Sequence, residues 1–549
     1  MAVDSAPTSP RTVDSAAVSG RRRKHWGWGY EDEQPSAEEL AALAPTIAAH
    51  LGFGSPRPLP FVALADLHLP EPRIAAPARL SALCSDDVHA RASHAYGKSY
   101  GDVVRGFSGS YPSPPDFVVR PRSEHDIEAV LEWATGAAVA VIPYGGGTSV
   151  VGGVEPVVGG RYAGAVSLDL GALDRVLEVD EVSRAARIAA GATGPGLEAQ
   201  LAEHGLTLRH FPQSFELSTL GGWVATRAGG HFATPWTHID DLVESVRAVT
   251  PAGVWQSRRL PGSGAGPSPD RLLIGSEGTL GIITEAWVRV RPRPAYRAGA
   301  TVRFGSFAAG LDGARAVAQS ELHPANCRLI DALEARTTGA GDGLQTLLVL
   351  GFESADHPVE AALDRALALC AEQGGTGERS GPRGGSAGAW REAFLRAPHL
   401  RDTFVAMGVL SETFETAITW ERAADFIERA RGGAEAAVLE RCGAGQVSCR
   451  LTHLYPDGAA PYFTVLAPAR PGEELEQWAA IKQAASDAVI AAGGTITHHH
   501  AVGRDHRPWY DVQRPDPFAA ALRSAKAELD PAAILNPGVL VDPVAARPA

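Results

Sequence analysis

The chain has little cysteine: five residues in 549, at Cys84, Cys327, Cys370, Cys442 and Cys449, with no CxxC pair. So sparse a set excludes a disulfide framework and fits a reducing compartment. It has no excess of basic charge either. Fifty Lys and Arg stand against 63 Asp and Glu, for a formal charge of -13, which argues against nucleic-acid binding, a role that leaves a basic footprint. Phosphate-bearing ligands must then be met by local arginines. No apolar run approaches the length of a membrane-spanning helix, and the N-terminus lacks the apolar core of a signal peptide. The C-terminal VAARPA is not an organelle address of the SKL type. These absences lead to the expectation of a cytoplasmic protein.

What is present is enough chain for two or three domains with a substantial core. Residues 1–20, rich in Ser, Ala, Thr and Pro without periodicity, read as a disordered leader. Residues 21–112 read as an N-terminal segment packed on the body, beginning with RRRKHWGWGYEDE, whose aromatics are costly unless docked. Residues 113–294 carry strand, helix and glycine-rich loop in alternation: DFVVRP, a helix capped by Ser123, the strand VAVIPY, then AVSLDL, AARIAAGA and a helix that Gly205 stops. Residues 295–490 change to longer helices and separate strands, an α+β domain with its own core. Residues 491–549 return with a triple histidine and the helix PFAAALRSAKAEL. The glycine-rich stretch 332–345 reads either as a mobile gate or as a plain loop.

PYGGGTSVVGG (143–153) is not a P-loop, since no lysine follows, and it is not the G-x-G-x-x-G of dinucleotide folds. Its consecutive glycines can offer backbone N–H groups to a pyrophosphate, or it can be a turn. Two further segments, FPQSFELSTLGGWVATRAGG (211–230) and LIGSEGTLGIITE (273–285), repeat the pattern of Ser, Thr and paired glycines where strands end. Three such segments in this order resemble the vanillyl-alcohol oxidase family of flavoproteins. The resemblance implies an α+β fold: a two-subdomain FAD-binding domain with an α+β cap. It implies FAD against Pro143, Tyr144, Gly145, Gly146, Gly147, Thr148 and Ser149 in the first loop. In the second it implies Gln213, Ser214, Phe215, Glu216, Leu217, Ser218 and Thr219, then Thr226, Arg227, Ala228 and Gly229. In the third it implies Glu277, Gly278, Thr279, Leu280, Gly281, Ile282 and Ile283. No His or Cys stands in PYGGGTS, where some relatives attach the flavin, so the FAD is expected to be non-covalent.

Outside this domain WGWGYED (26–32), CRLID (327–331), LRD with SETFET (400–416), and CRLTHLYPDGAAPYF (449–463) with HHHAVG (498–503) resemble the alkyldihydroxyacetonephosphate synthases. That resemblance implies a redox-neutral exchange of the acyl chain of acyl-dihydroxyacetone phosphate for a long-chain alcohol, through a flavin N5 adduct. It makes Tyr462 the acid/base, with Tyr455 nearby, though Pro456 departs from the family pattern. It implies that Arg401, His498, His499 and His500 hold the phosphate, and that Arg328 braces the histidine strand. A lipid-like phosphate, a long-chain alcohol, peripheral membrane contact and a homodimer follow as expected partners. The second reading is an FAD-dependent oxidase or dehydrogenase of a 2-hydroxy acid or other alcohol on the same residues; a flavin-binding module without activity is the third.

Read from the residues, the three histidines invite a metal. In a strand, however, His498 and His500 would face opposite to His499, and no neighbouring Cys or H-x-x-E completes a set. No metal is expected. Titration near neutrality instead suits the run to proton handling. Structural ion pairs are the plain alternative for Arg328 and Arg401, and a buried core position for either tyrosine.

Overall fold

The computed structural model describes residues 21–380 and 385–542; the expected leader, 1–20, lies outside them. Two larger sheets and one two-stranded pair, Leu206–Thr207 with Arg291–Pro292, build the first body. One has, in spatial order, Cys84–Ser85, Phe117–Val119, Gly164–Asp169 and Val139–Tyr144, parallel except for its first pair. Its crossover helix, Glu124–Ala137, starts where the Ser123 hydroxyl accepts the Asp126 amide at 3.2 Å and ends at Ala138 in the left-handed region. Ile127, Val130, Leu131 and Ala134 bury one face at helical spacing. The second sheet is antiparallel: Val176–Asp180, Ala185–Ala189, Ile282–Arg289, Val243–Thr250, Gly253–Gln256. Glu124 joins the two, accepting from Arg247 at 2.8 Å and from the Thr284 hydroxyl at 2.5 Å. The free edge of Val139–Tyr144 is closed from the far end of the chain. Val141 donates to Ile534 at 2.8 Å and accepts from Asn536 at 2.9 Å.

The second body is one eight-stranded antiparallel sheet. Its order is Thr376–Ser380, Tyr296–Phe304, Thr346–Ser354, Asn326–Ile330, Gln446–Leu454, Gly458–Pro468 and Val409–Glu415, with Ile418–Thr419 paired to Gly458–Pro468. Strand alternation sorts its residues. Leu410, Phe414, Val447, Cys449, Leu451, Phe463, Val465 and Ala467 enter a core with the helices Phe307–Ala318, Glu360–Glu372, Trp420–Cys442 and Glu474–Ala491. Their strand neighbours Ser411, Thr413, Ser448, Arg450, Thr452, Tyr462 and Thr464 line a cavity. The helix Gly385–Ala406, which carried no legible sequence pattern, roofs that cavity with Ala397, Leu400, Arg401 and Phe404.

The aromatic N-terminal segment is docked. Trp26, Trp28 and Tyr30 are buried, worth about 1.5–3 kcal/mol for each large side chain removed from water. Its basic run does specific work. Arg23 donates to the carbonyls of Gly146 (2.5 Å) and Leu217 (3.3 Å), and Lys24 pairs with buried Asp402 at 3.2 Å. Of the stretch 332–345, Ala332–Thr337 is a helix capped by Asp331, and Thr337 and Thr338 line the cavity, so the plain-loop reading of that part is corrected.

Candidate active site

A cavity of about 400 Å³ runs from the three glycine segments to the polar face of the large sheet. The segments meet at one end because only glycine fits. A Cβ on Gly146 would stand 2.6 Å from the Ser218 Cα, and one on Gly278 would stand 2.6 Å from the Pro143 side chain, at a φ of +71°. Among the described residues, the amides of Gly145 to Thr148 find no backbone acceptor in the chain. A wall of close-packed backbone with unengaged N–H groups fits an extended phosphate-bearing cofactor such as FAD.

Most of the residues expected to bind the cofactor line this wall, and seven do not. Phe215 stacks on Trp223, Glu216 pairs with His399 at 3.6 Å, and Leu217 is buried beside Trp28 and Tyr30. Arg227 turns to Asp240 at 2.8 Å, and the Thr279 hydroxyl donates to the Ser276 carbonyl at 2.7 Å. Leu280 and Ile282 enter the first core. Each sits on the far side of a loop or strand whose neighbours face the cavity. Phe211 and Trp223, not anticipated, face it.

The histidine run is not a strand. Residues 497–500 bend around the carboxylate of Glu415, which reaches in from the end of strand Val409–Glu415. Its oxygens accept from the Thr497 hydroxyl (2.5 Å) and from the amides of His498 (2.7 Å), His499 (3.2 Å) and His500 (3.0 Å). A second buried carboxylate, Glu277, holds the next turn by the amides of Val502 and Gly503, both at 2.9 Å. Burial raises the Glu415 carboxyl, but this is outweighed by the neighbouring histidines and it lies well below the usual range. Burial raises Glu277 to about 7, against the pull of its two amides.

This bend overturns the expected alternation. His499 and His500 line the cavity together, while His498 lies behind them. Burial also lowers His498 and His500 well below their ordinary value, helped by imidazole neighbours. They are neutral at pH 7 and not poised near neutrality.

Tyr462 lies on the cavity wall, 4% exposed. The Arg450 guanidinium covers its ring at 3.8 Å and is fixed by Glu334 at 2.8 Å. His499 is stacked and His500 edge-on, with centroids at 6.0 and 5.5 Å. Among the described residues its hydroxyl has no hydrogen-bond partner, so it is available to a ligand. Tyr455 does not share the cavity. It sits in the turn after Gln446–Leu454, where its hydroxyl meets His498 Nε2 at 2.7 Å and Thr237 at 2.9 Å. Burial raises its phenol. It contacts His498 and is not among the residues that line the cavity.

Arg328 lines the cavity and donates to the His231 carbonyl at 3.1 Å. This corrects the expected brace on a histidine strand, since the run is a loop held by Glu415. Burial, with repulsion from Arg450, lowers Arg328 to about 10. Arg401, on the roofing helix, donates to the Lys98 carbonyl at 2.7 Å. Lys98 was not foreseen: burial lowers it to about 8, and it lines the same wall. Among the described residues neither cation has a carboxylate within 4.0 Å. Glu415, Arg450 and Lys98 were missed because each acts through strand register or chain crossing; CRLTHLY did contain Arg450.

The family described as FAD binding domain matches residues 115–257, and that described as FAD linked oxidases, C-terminal domain, matches 293–540. The alkyldihydroxyacetonephosphate synthase of Caenorhabditis elegans is 31% identical over 83% of this chain and 81% of its own. That of Dictyostelium discoideum is 30% identical over 83% and 78%. A solved alkyldihydroxyacetonephosphate synthase structure superposes with a TM-score of 0.77 over 94% of this chain and 98% of its own, at 27% identity.

Proposed function

The chain belongs to the alkyldihydroxyacetonephosphate synthase family, whose members are FAD-dependent enzymes, and on that premise we propose that it exchanges the acyl chain of acyl-dihydroxyacetone phosphate for a long-chain alcohol, forming an ether. The observation that carries this is the placement of Tyr462: an unengaged hydroxyl under a fixed guanidinium, in one cavity with the glycine loop.

Tyr462 takes the C1 proton of the substrate. The Arg450 guanidinium, fixed by Glu334, lies over its ring and holds the phenol in place. Bound non-covalently, FAD supplies an electrophile for the carbon that loses its acyloxy group. Arg401 and Lys98, which have no carboxylate within 4.0 Å among the described residues, receive the phosphate. His499 and His500 orient the substrate by hydrogen bonds and stabilise developing charge. Tyr455, through His498, and Glu415, through the loop backbone, keep them in place. Leu400, Ala397 and Phe404 on the roofing helix give the chain an apolar wall. The proposal extends to a cytoplasmic homodimer with peripheral membrane contact, which would bring it lipid substrates; no helix of the described residues is long and apolar enough to cross a membrane.

The test is anaerobic incubation of the yellow protein with palmitoyl-dihydroxyacetone phosphate and hexadecanol. Alkyl ether and free palmitate, with the flavin still oxidised, are expected. Absence of ether, with bleaching by 2-hydroxy acids, would move the protein to the oxidase class. Tyr462→Phe should lower turnover by about 10²–10⁴ while keeping FAD.

A further inference from the structure

Behind the cavity wall the histidine loop meets a histidine from the large sheet. His453, at the end of strand Gln446–Leu454, is 3% exposed, and its ring lies 4.9 Å from that of His498 and 5.5 Å from that of His499. One ring nitrogen from each of the three lies within 4.8 Å of the other two. His238 closes a further side, its ring 4.5 Å from that of His498.

We propose that His453, His498 and His499 form a binding site for a divalent cation of the zinc class, its fourth position open toward the cavity. Three features of the geometry support it. The Nδ1 atoms of His498 and His499 face each other at 3.1 Å, where one proton at most can sit between them. Tetrahedral zinc with Zn–N bonds of about 2.0–2.1 Å places its ligand nitrogens roughly 3.3 Å apart, so this pair already has the right separation. The backs of the rings are held as ligating imidazoles usually are, by a carbonyl, a carboxylate or a hydroxyl on the other nitrogen. His453 Nε2 meets the Gly230 carbonyl at 3.0 Å, while its Nδ1 stands 3.1 Å from the Thr452 hydroxyl that the ion would displace, and His498 Nε2 meets the Tyr455 hydroxyl at 2.7 Å. Glu415, almost wholly buried, stands 3.3 Å from His499 Nδ1 and offsets the added charge. An all-imidazole set suits zinc, copper, nickel or cobalt over magnesium or calcium.

The strand geometry that argued against a metal is absent, because Glu415 bends the run. The inference does not rest on the proposed reaction. It goes beyond it, because no step of that reaction calls for an ion at His453 and His499, both of which line the cavity.

The holoenzyme, stripped with a chelator and dialysed against micromolar Zn²⁺, should retain one zinc per chain. H453Q should weaken retention at least tenfold, and Y455F, which keeps all three ligands but loses the hydroxyl behind His498, by roughly tenfold. Flavin absorbance and melting temperature report whether each variant is folded. Co²⁺ added to the unaltered protein gives a reading that needs no variant: the intense visible bands of tetrahedral histidine-bound cobalt are expected. No zinc retained by the unaltered protein, equal retention by folded H453Q, or only the weak spectrum of octahedral hydrated cobalt would each overturn the site.

Discussion

The glycine loop at 145–149 and the histidine loop at 497–503 face one cavity with opposite halves of the polypeptide. The first turns its amides outward, leaving those of Gly145 to Thr148 for a ligand. The second turns its amides inward onto Glu415 and Glu277, leaving imidazoles for the ligand. A loop that binds through its backbone must have residues small enough for close approach, and it carries that requirement in its own sequence. A loop that binds through side chains can be shaped by a distant carboxylate, and its own sequence does not say which.

Four changes break or sharpen this contrast. The largest effect belongs to Gly146→Ala, whose Cβ meets the backbone of 217–218 with no flexible atom to yield. The protein should purify without flavin absorbance and without activity; retained FAD would mean that the loop's close approach is not what holds the cofactor. Next is Glu415→Gln, which removes a buried charge from an assembly of inward amides. Stability should fall by about 3–5 kcal/mol, read as a lower denaturant midpoint, and turnover by about 10²-fold through misplaced imidazoles, with FAD retained. If FAD were lost instead, the two loops would not be separable.

Lys98 probes the glycine-loop side, since its amide donates to the Ser149 carbonyl at 2.6 Å. Its ammonium titrates at about 8, so kcat/KM for the phosphate substrate should fall as pH rises past 8. Lys98→Met should lower kcat/KM by about tenfold, the worth of roughly 1.4 kcal/mol, and flatten that limb; an unaltered limb in the variant removes Lys98 from phosphate binding. The smallest effect is at Glu277, held near 7 in the fold by burial. The folded protein keeps a proton that the unfolded chain releases near pH 4, so this contribution is complete below about pH 4 and is lost as pH rises through 7. Between roughly pH 5 and 8 the melting temperature should fall more steeply for the natural protein than for Glu277→Gln. Parallel profiles would place the titrating group elsewhere.

The same contrast explains what could be read in advance. The three glycine segments were legible because residue type encodes their geometry, and Ser123, Gly145 to Gly147 and the helix Trp420–Cys442 each announce themselves locally. The seven cofactor residues that turn away were not, because neighbours in a loop face alternate sides. His498 to His500 misled because a run of identical residues carries no periodicity of its own. Their bend comes from Glu415, whose place opposite Tyr462 is a matter of strand register. Arg401 was legible by resemblance, yet the 22-residue helix carrying it was not, since an internal Pro398 and a weak apolar stripe leave little helical signal.

The edge of the strand that leads into the glycine loop is paired by Ile534 to Asn536, and the Asn536 amide also binds the Gly153 and Glu277 carbonyls at 3.1 and 2.8 Å. These residues follow every other part of the site in order of synthesis. A ribosome adding roughly 5–20 residues each second must pass nearly four hundred positions beyond Gly146 before that edge is sealed. Cofactor capture is therefore a late event in the life of each molecule, and a chain cut short before Ile534 would leave the ribosome with the first core lacking Ile534, Leu535 and Val539 and the flavin seat still open.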